Sequence, residues 1–502
     1  MSRTRIVKGI YNKITKGSHN MFAEENIVSS AFKEVKQKGG DGISFNAPGR
    51  LENTTSDDFK ISFSIKKDGH YKTVVPLGIL DYEGNYENPF FAFNFSLSQS
   101  NVDSLKFEIF DEEGKSIYSM TNLPEVVVRA VKHQNLLENI QKKKPQFDPL
   151  KPVNIWDWKT VFIPFQVPSS DYTKIGSYII LWDGFDDNDI YDSTRFNYKN
   201  LKAKITATKG NKQKSLEIEF ETKYDKVKWV DVKIDKKNKK IDTTLRVNLR
   251  DGGAEGLDCT SYITGGRINP HWETKCPWNE ISSEALNYYK HPPIKSRTLQ
   301  YNDLENMALG GINKYWSRTS QNIGKGIKAN GELYEFFVNS VQDKKGMVAP
   351  RLIYFTNKEN TTFNRSHNWE ASRELYYKVG YNYYSDWESY NKRSIAFTTK
   401  GWVYITPNAA KLRYEDTAAH EIGHQLLYEY GGHIYSKTHK GTSHWSMIYQ
   451  EPNPGTTYPT GADEIDLMKY ADEAEPSDYF NRVILSEKDA ASLLWLSKIK
   501  IL

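Results

Sequence analysis

His420-Glu421-Ile422-Gly423-His424 places two imidazoles four residues apart around a glutamate. On an α-helix that spacing stacks both rings on one face, one turn above the other. Two nitrogens so arranged can grip one Zn²⁺ at about 2.0–2.1 Å each. Glu421, beside the first ligand, can then reach a water held at the metal and act as general base. The flanking residues support a helix. Ala418, Ala419, Ile422, Leu426 and Leu427 give apolar positions at helical spacing, and Asp416 and Thr417 are N-cap candidates after the Pro407-Asn408-Ala409 break. Gly431-Gly432 is expected to stop the helix. Gly423, inside it, costs about 1 kcal/mol relative to Ala, which a close approach by backbone or substrate would explain.

A catalytic zinc needs a third protein ligand and an open position. His433, His439 and His444 follow the motif, then Glu464 and Asp466 in TGADEIDLMKY. A third histidine six residues after His424 is ruled out, because Tyr430 stands there. A glutamate from a later helix would be Glu464. His439 is preferred, since Lys437, Gly441 and the Thr and Ser residues around it suggest a polar loop able to fold back under the helix. His444 and Tyr449 are candidates for stabilising an oxyanion.

The run TAAHEIGHQLLYEYGGHIYSKTHKGTSHWS, then YPTGADEIDLMKY and a closing ILSEKDAASLLWLSK, resembles the zincin metallopeptidase-toxin domains. These occur at the C-termini of bacterial polymorphic toxins and type VI secretion effectors. The resemblance implies a zincin fold holding one Zn²⁺. It places His439, in His439-Lys440-Gly441, at the ligand position, with Glu464 and Asp466 as candidates for orienting a ligand histidine. It implies a peptide or protein substrate, a secretion-apparatus component as partner, and a cognate immunity protein.

The elements that must position these residues follow from periodicity. Tyr301–Trp316 reads as a helix through Leu304, Met307, Ala308 and Ile312. Residues 333–338 and 352–355 read as strands, and 394–397 with 402–405 as a hairpin. The strand 402–405 precedes the motif helix and could offer its edge to an extended peptide. A last helix is expected from Ser486, with Glu487 and Asp489 in its first turn.

A length of 502 residues allows about three domains. The expected class is multidomain, with N-terminal all-β, immunoglobulin-like sandwiches and a C-terminal α+β zincin-like metallopeptidase domain. Residues 1–50 read as an export leader, 51–131 as a β-sandwich module and 150–245 as an immunoglobulin-like sandwich. Residues 246–284 read as a linker with Cys259 and Cys276, and 285–502 as the metallopeptidase. The charged, Pro-punctuated residues 132–152 mark a boundary. GSYIILWDGFDDNDIYDSTRF resembles the Trp-Asp-Gly turn of immunoglobulin-like modules in flagellar-hook-cap and secreted bacterial proteins. Asp183, Asp186, Asp187 and Asp189 there miss the EF-hand spacing for Ca²⁺ and read as turn chemistry.

Net charge is only +5, which argues against a dedicated nucleic-acid binder. The Lys-dense stretch 233–240 reads as a solvated hairpin tip. No apolar run is long enough to span a membrane, and the N-terminus lacks a Sec-type signal. Export, if it occurs, is expected by another route, from a bacterial cytoplasm. Cys259 and Cys276 are compatible with one disulfide or with two reduced thiols. The readings are thus a zinc metallopeptidase acting as a secreted effector, a β-module binding or structural protein carrying an inactive zincin, and a zinc amidase acting on peptidoglycan.

Overall fold

Alternating apolar residues make the first half of the chain into strands. The computed structural model describes residues 58–121, 172–384, 401–437 and 457–502, apart from 86, 330, 470, 472 and 473. The expected leader, the boundary at 132–152 and the strand at 394–397 lie outside the described residues. In β1 (Lys60–Lys66), β2 (Phe91–Ser98) and β3 (Ser104–Phe110), every second side chain is apolar and turns inward. β4 (Ser116–Met120), β5 (Gly176–Trp182), β6 (Lys199–Lys209) and β7 (Lys212–Tyr224) complete the set.

These strands form two facing sheets. One has the order β1-β2-β5. The other runs β4-β3-β6-β7 and is extended by Ile499–Ile501 and Thr73–Val74. Phe63 and Phe93 of the first sheet meet Phe107 of the second at 6.3 and 5.2 Å between ring centroids, and Phe93 meets Phe220 at 5.7 Å.

The two expected β modules are therefore one. Strand β5 pairs with β2, and β6 with β3, so strands from 51–131 and from 150–245 share both sheets. Alternation states which face of a strand is buried, not which strand lies beside it.

The second half is built on an eight-stranded mixed sheet. β8 (Val230–Asp235) and β9 (Lys240–Glu255) form a hairpin, with Lys236 at the turn paired to Asp183 at 2.5 Å. β9 then runs parallel to both β12 (Glu332–Gln342) and β13 (Met347–Phe355), and β13 parallel to β14 (Arg373–Lys378). Between them the chain makes the hairpin β10 (Thr260–Thr264) and β11 (His271–Lys275). Cys259 and Cys276 join across its neck as a disulfide. The expected linker 246–284 thus contains most of a sheet strand and a clamped hairpin. A start of the C-terminal unit at 285 would exclude β9, on which β12 and β13 both pair.

Two helices lie on this sheet. α1 (Tyr301–Trp316) starts at a capping box, with Gln300 N–H donating to Asp303 at 2.7 Å. Its Asn313 and Leu309 accept from Ser340 of β12. α2 (Pro407–Lys437) carries the motif. It begins nine residues before Asp416, contrary to the expected cap. Thr406 Oγ1 accepts from Ala409 N–H at 3.3 Å and Pro407 occupies the first helical position, where its missing N–H costs nothing. The Pro-Asn-Ala group is a helix start, not a break. The helices cross closely at Gly311, where a Cβ would lie 2.2 Å from the Glu415 carbonyl oxygen.

β15 (Gly380–Tyr384) pairs antiparallel with β16 (Gly401–Ile405), which is a terminal strand of its three-stranded sheet among the described residues. The last helix, α3 (Glu487–Leu496), starts at Ser486 as expected, and Leu493, Leu494 and Leu496 are fully buried. One hydrophobic core runs from Phe59 to Ile501 through both halves. Tyr430 of α2 donates to the Leu80 carbonyl at 3.0 Å, and Lys498 pairs with Glu87 at 2.8 Å. No helix among the described residues is long and apolar enough to cross a membrane.

Candidate metal centre

His420, Glu421 and His424 lie in the middle of α2, buried to 9, 6 and 4% exposure. The two imidazole centroids are 4.9 Å apart with their planes perpendicular. His420 Nδ1 lies 2.8 Å from the Leu467 carbonyl oxygen, and His424 Nδ1 lies 2.8 Å from that of Ser436. A carbonyl only accepts, so each ring must carry its proton on Nδ1. In that tautomer Nε2 bears the lone pair, as a metal ligand requires. Bonds of this kind also fix ring orientation and raise ligand basicity. The residues fit a zinc site on that ground.

The two carbonyls are delivered by different devices. Leu467 belongs to a short turn, in which Asp466 Oδ1 accepts from Met468 N–H at 2.9 Å. Met468 packs against Gly423: a Cβ there would fall 2.6 Å from the Met468 sulfur and 3.3 Å from Trp316. The cost of a mid-helix glycine is thus explained by close packing. Trp316 Nε1 also donates to the Ala419 carbonyl at 3.1 Å, locking α1 onto the motif.

Ser436 reaches His424 only because the helix is broken. In a continuous helix, residues 424 and 436 would be about 18 Å apart along the axis. Gly432 adopts φ 77°, ψ −173°, a region essentially reserved for glycine. The chain turns there and brings Ser436 back, where its hydroxyl also donates to the His424 carbonyl. The expected stop at Gly431-Gly432 is this break, followed by little more than one further helical turn to Lys437.

Asn368, on the short strand His367–Asn368, donates to the Glu421 carbonyl at 2.7 Å and accepts from Arg373 Nε at 3.0 Å. Sequence reading missed it, since nothing near residue 368 marks it as close to 421. It likewise missed the carbonyls of Leu467 and Ser436, because a backbone acceptor has no residue type.

Other expectations resolve differently. Both oxygens of Glu464 accept from Arg318, at 2.8 and 3.0 Å, and Arg318 also donates to the Leu485 carbonyl. Arg318 is 4% exposed, so removing this partner would leave a buried charge uncompensated. Glu464 is committed to that pair, which speaks against it as the third ligand. In the bonds described, the Leu467 carbonyl holds His420. His433 is exposed just past the break. His439, His444 and Tyr449 lie outside the described residues. Among the described residues, no three His, Cys, Asp or Glu side chains gather as a metal-holding group.

One turn before His420, Asp416 is buried with Arg413, Glu475 and Tyr479 around it. Arg413 pairs with Glu475 and lies 3.7 Å from Asp416. Burial pushes the Asp416 carboxyl up to about 7, against the opposing pull of Arg413. The Asp-rich turn at 183–189 engages its carboxylates with its own backbone and with neighbouring strands and turns. Asp186 accepts from Asn188 and Ile190 N–H and pairs with Arg195 at 2.9 Å, and Asp187 accepts from Ser119 N–H.

Comparison with protein-family models, curated proteins and solved structures returns no match.

Proposed function

We propose that this chain is a zinc-dependent metallopeptidase of zincin type, made as a secreted bacterial effector. One observation carries the reading. The two histidines of an H-E-x-x-H helix each give Nδ1–H to a carbonyl, while Glu421 sits between them in the same buried stretch. His420 and His424 would hold the metal, with His439 as third ligand. Bound zinc would polarise a scissile carbonyl and lower the pKa of a water toward about 7. Glu421 would take the proton of the attacking water and pass it to the leaving amine. Among the described residues β16 ends its sheet, and an extended peptide could lie along that edge.

The two-sheet sandwich fits the immunoglobulin-like part of the reading, as one module rather than two. The Cys259–Cys276 disulfide favours an oxidising destination outside the cytosol. A secretion apparatus and a cognate inhibitor are the proposed partners.

The test uses the full chain. Purified without chelator, it should hold about one zinc. H420A, H424A and H439A should each lose it, while H433A and H444A keep it. Glu421→Gln should keep zinc and fold yet lose roughly 10²–10⁴-fold in peptide hydrolysis. Wild type without zinc, or an E421Q variant as active as wild type, overturns the reading. Hydrolysis of peptidoglycan amides but not of peptides would move it to an amidase.

A further inference from the structure

We propose that the β10–β11 hairpin is an anchor for anionic lipid surfaces. Among the described residues its two strands pair only with each other, and nearly every residue in them is exposed. A free two-stranded hairpin is marginal in water, and here the Cys259–Cys276 disulfide clamps its neck. Its far end is apolar without a core to serve. Ile268, at the tip, is 100% exposed, Trp272 71% and Ile263 61%. Ile263 and Trp272 stand directly opposite in the register, so they share one face. Such a patch on a projecting element marks an interaction site.

Charge and size point to the occupant. From Ile263 to Trp272 the chain carries Arg267 and His271 and no carboxylate. On the opposite face Tyr262 hydrogen-bonds Glu273, which lies nearer the neck. Tryptophan with an apolar tip suits the headgroup boundary of a bilayer, and a basic residue beside it is drawn to anionic lipid. A protein partner of ordinary affinity needs roughly 20–30 residues a side, more than this tip offers. The membrane would hold only the finger; the sheets and the motif helix stay in water.

Cosedimentation of the full chain with vesicles tests this, independently of zinc or hydrolysis. Wild type should bind vesicles containing phosphatidylglycerol, and bind phosphatidylcholine vesicles at least several-fold less. The double variant I268D/W272A should lose about tenfold or more in partitioning, the equivalent of 1.4 kcal/mol. R267E should lose the preference for anionic vesicles. Both change side chains that pack on no core, so circular dichroism should match wild type. No binding by wild type, equal binding to neutral vesicles, or undiminished binding by I268D/W272A overturns the proposal. So does tip-dependent capture by a protein without any affinity for vesicles.

Discussion

His420 and His424 each donate the same bond, Nδ1–H to a carbonyl, to two unlike regions. The Leu467 carbonyl comes from a turn 47 residues downstream, held by Asp466 and by the packing of Met468 on Gly423. The Ser436 carbonyl comes from the same helix, returned by one glycine. The first support depends on many side chains and can yield gradually. The second depends on a single backbone conformation and should fail at once. A pair of histidines can thus be preorganised to the same geometry with different robustness.

The largest effect is expected from removing the sheets that hold both supports in place. Expressing residues 285–502 alone removes β9, the partner of both β12 and β13, and the sheet that receives Ile499–Ile501. That fragment should show no cooperative thermal unfolding, whereas a chain spanning 58–502 should. A cooperative transition in the fragment would show that the two halves are separable after all.

Gly432→Ala attacks the Ser436 support. Nothing crowds a Cβ there, so the effect is backbone strain of about 1–3 kcal/mol. Zinc affinity, read by competition with a chelator, should fall roughly 10–100-fold. Unchanged affinity would mean that His424 needs no help from Ser436.

Gly423→Ala presses on Met468, whose sulfur can move, and on Trp316, which cannot move as freely. Stability should drop by about 1–3 kcal/mol, the usual range for overpacking. Zinc affinity should change less than in G432A. A larger loss of zinc in G423A would reverse the ranking of the two supports.

The smallest effect concerns pH. Asp416 has a folded pKa raised to about 7 from an ordinary 3.8, so the folded state favours its neutral form. Its contribution to stability is full below about pH 4 and declines as pH rises toward 7. Asp416→Asn keeps the neutral form at all pH. Between pH 5 and pH 8, the Tm of D416N should fall less than that of wild type. Parallel Tm curves for the two proteins would show that Asp416 stays ionised in the fold.

Local features were legible because they depend on neighbours in sequence. Tyr301–Trp316, the Ser486 cap and the sheet strands around 333–338 and 352–355 follow from periodicity and capping chemistry. The position of Asp416 was misread because Pro407 carries two meanings, and only the capping bond of Thr406 distinguishes a start from a break.

By itself, then, the sequence determined which residues stand on the motif helix and that glycines punctuate it. Helical spacing puts His420 and His424 on one face whatever surrounds them. The tertiary structure alone decided what holds them. Leu467, Ser436 and Asn368 act through a carbonyl, a carbonyl and an amide brought from 12 to 53 positions away. It also decided that the β strands form one sandwich and that β9 joins the two halves. Strand partners and backbone acceptors are chosen by burial and satisfaction across the whole chain, so no local pattern encodes them.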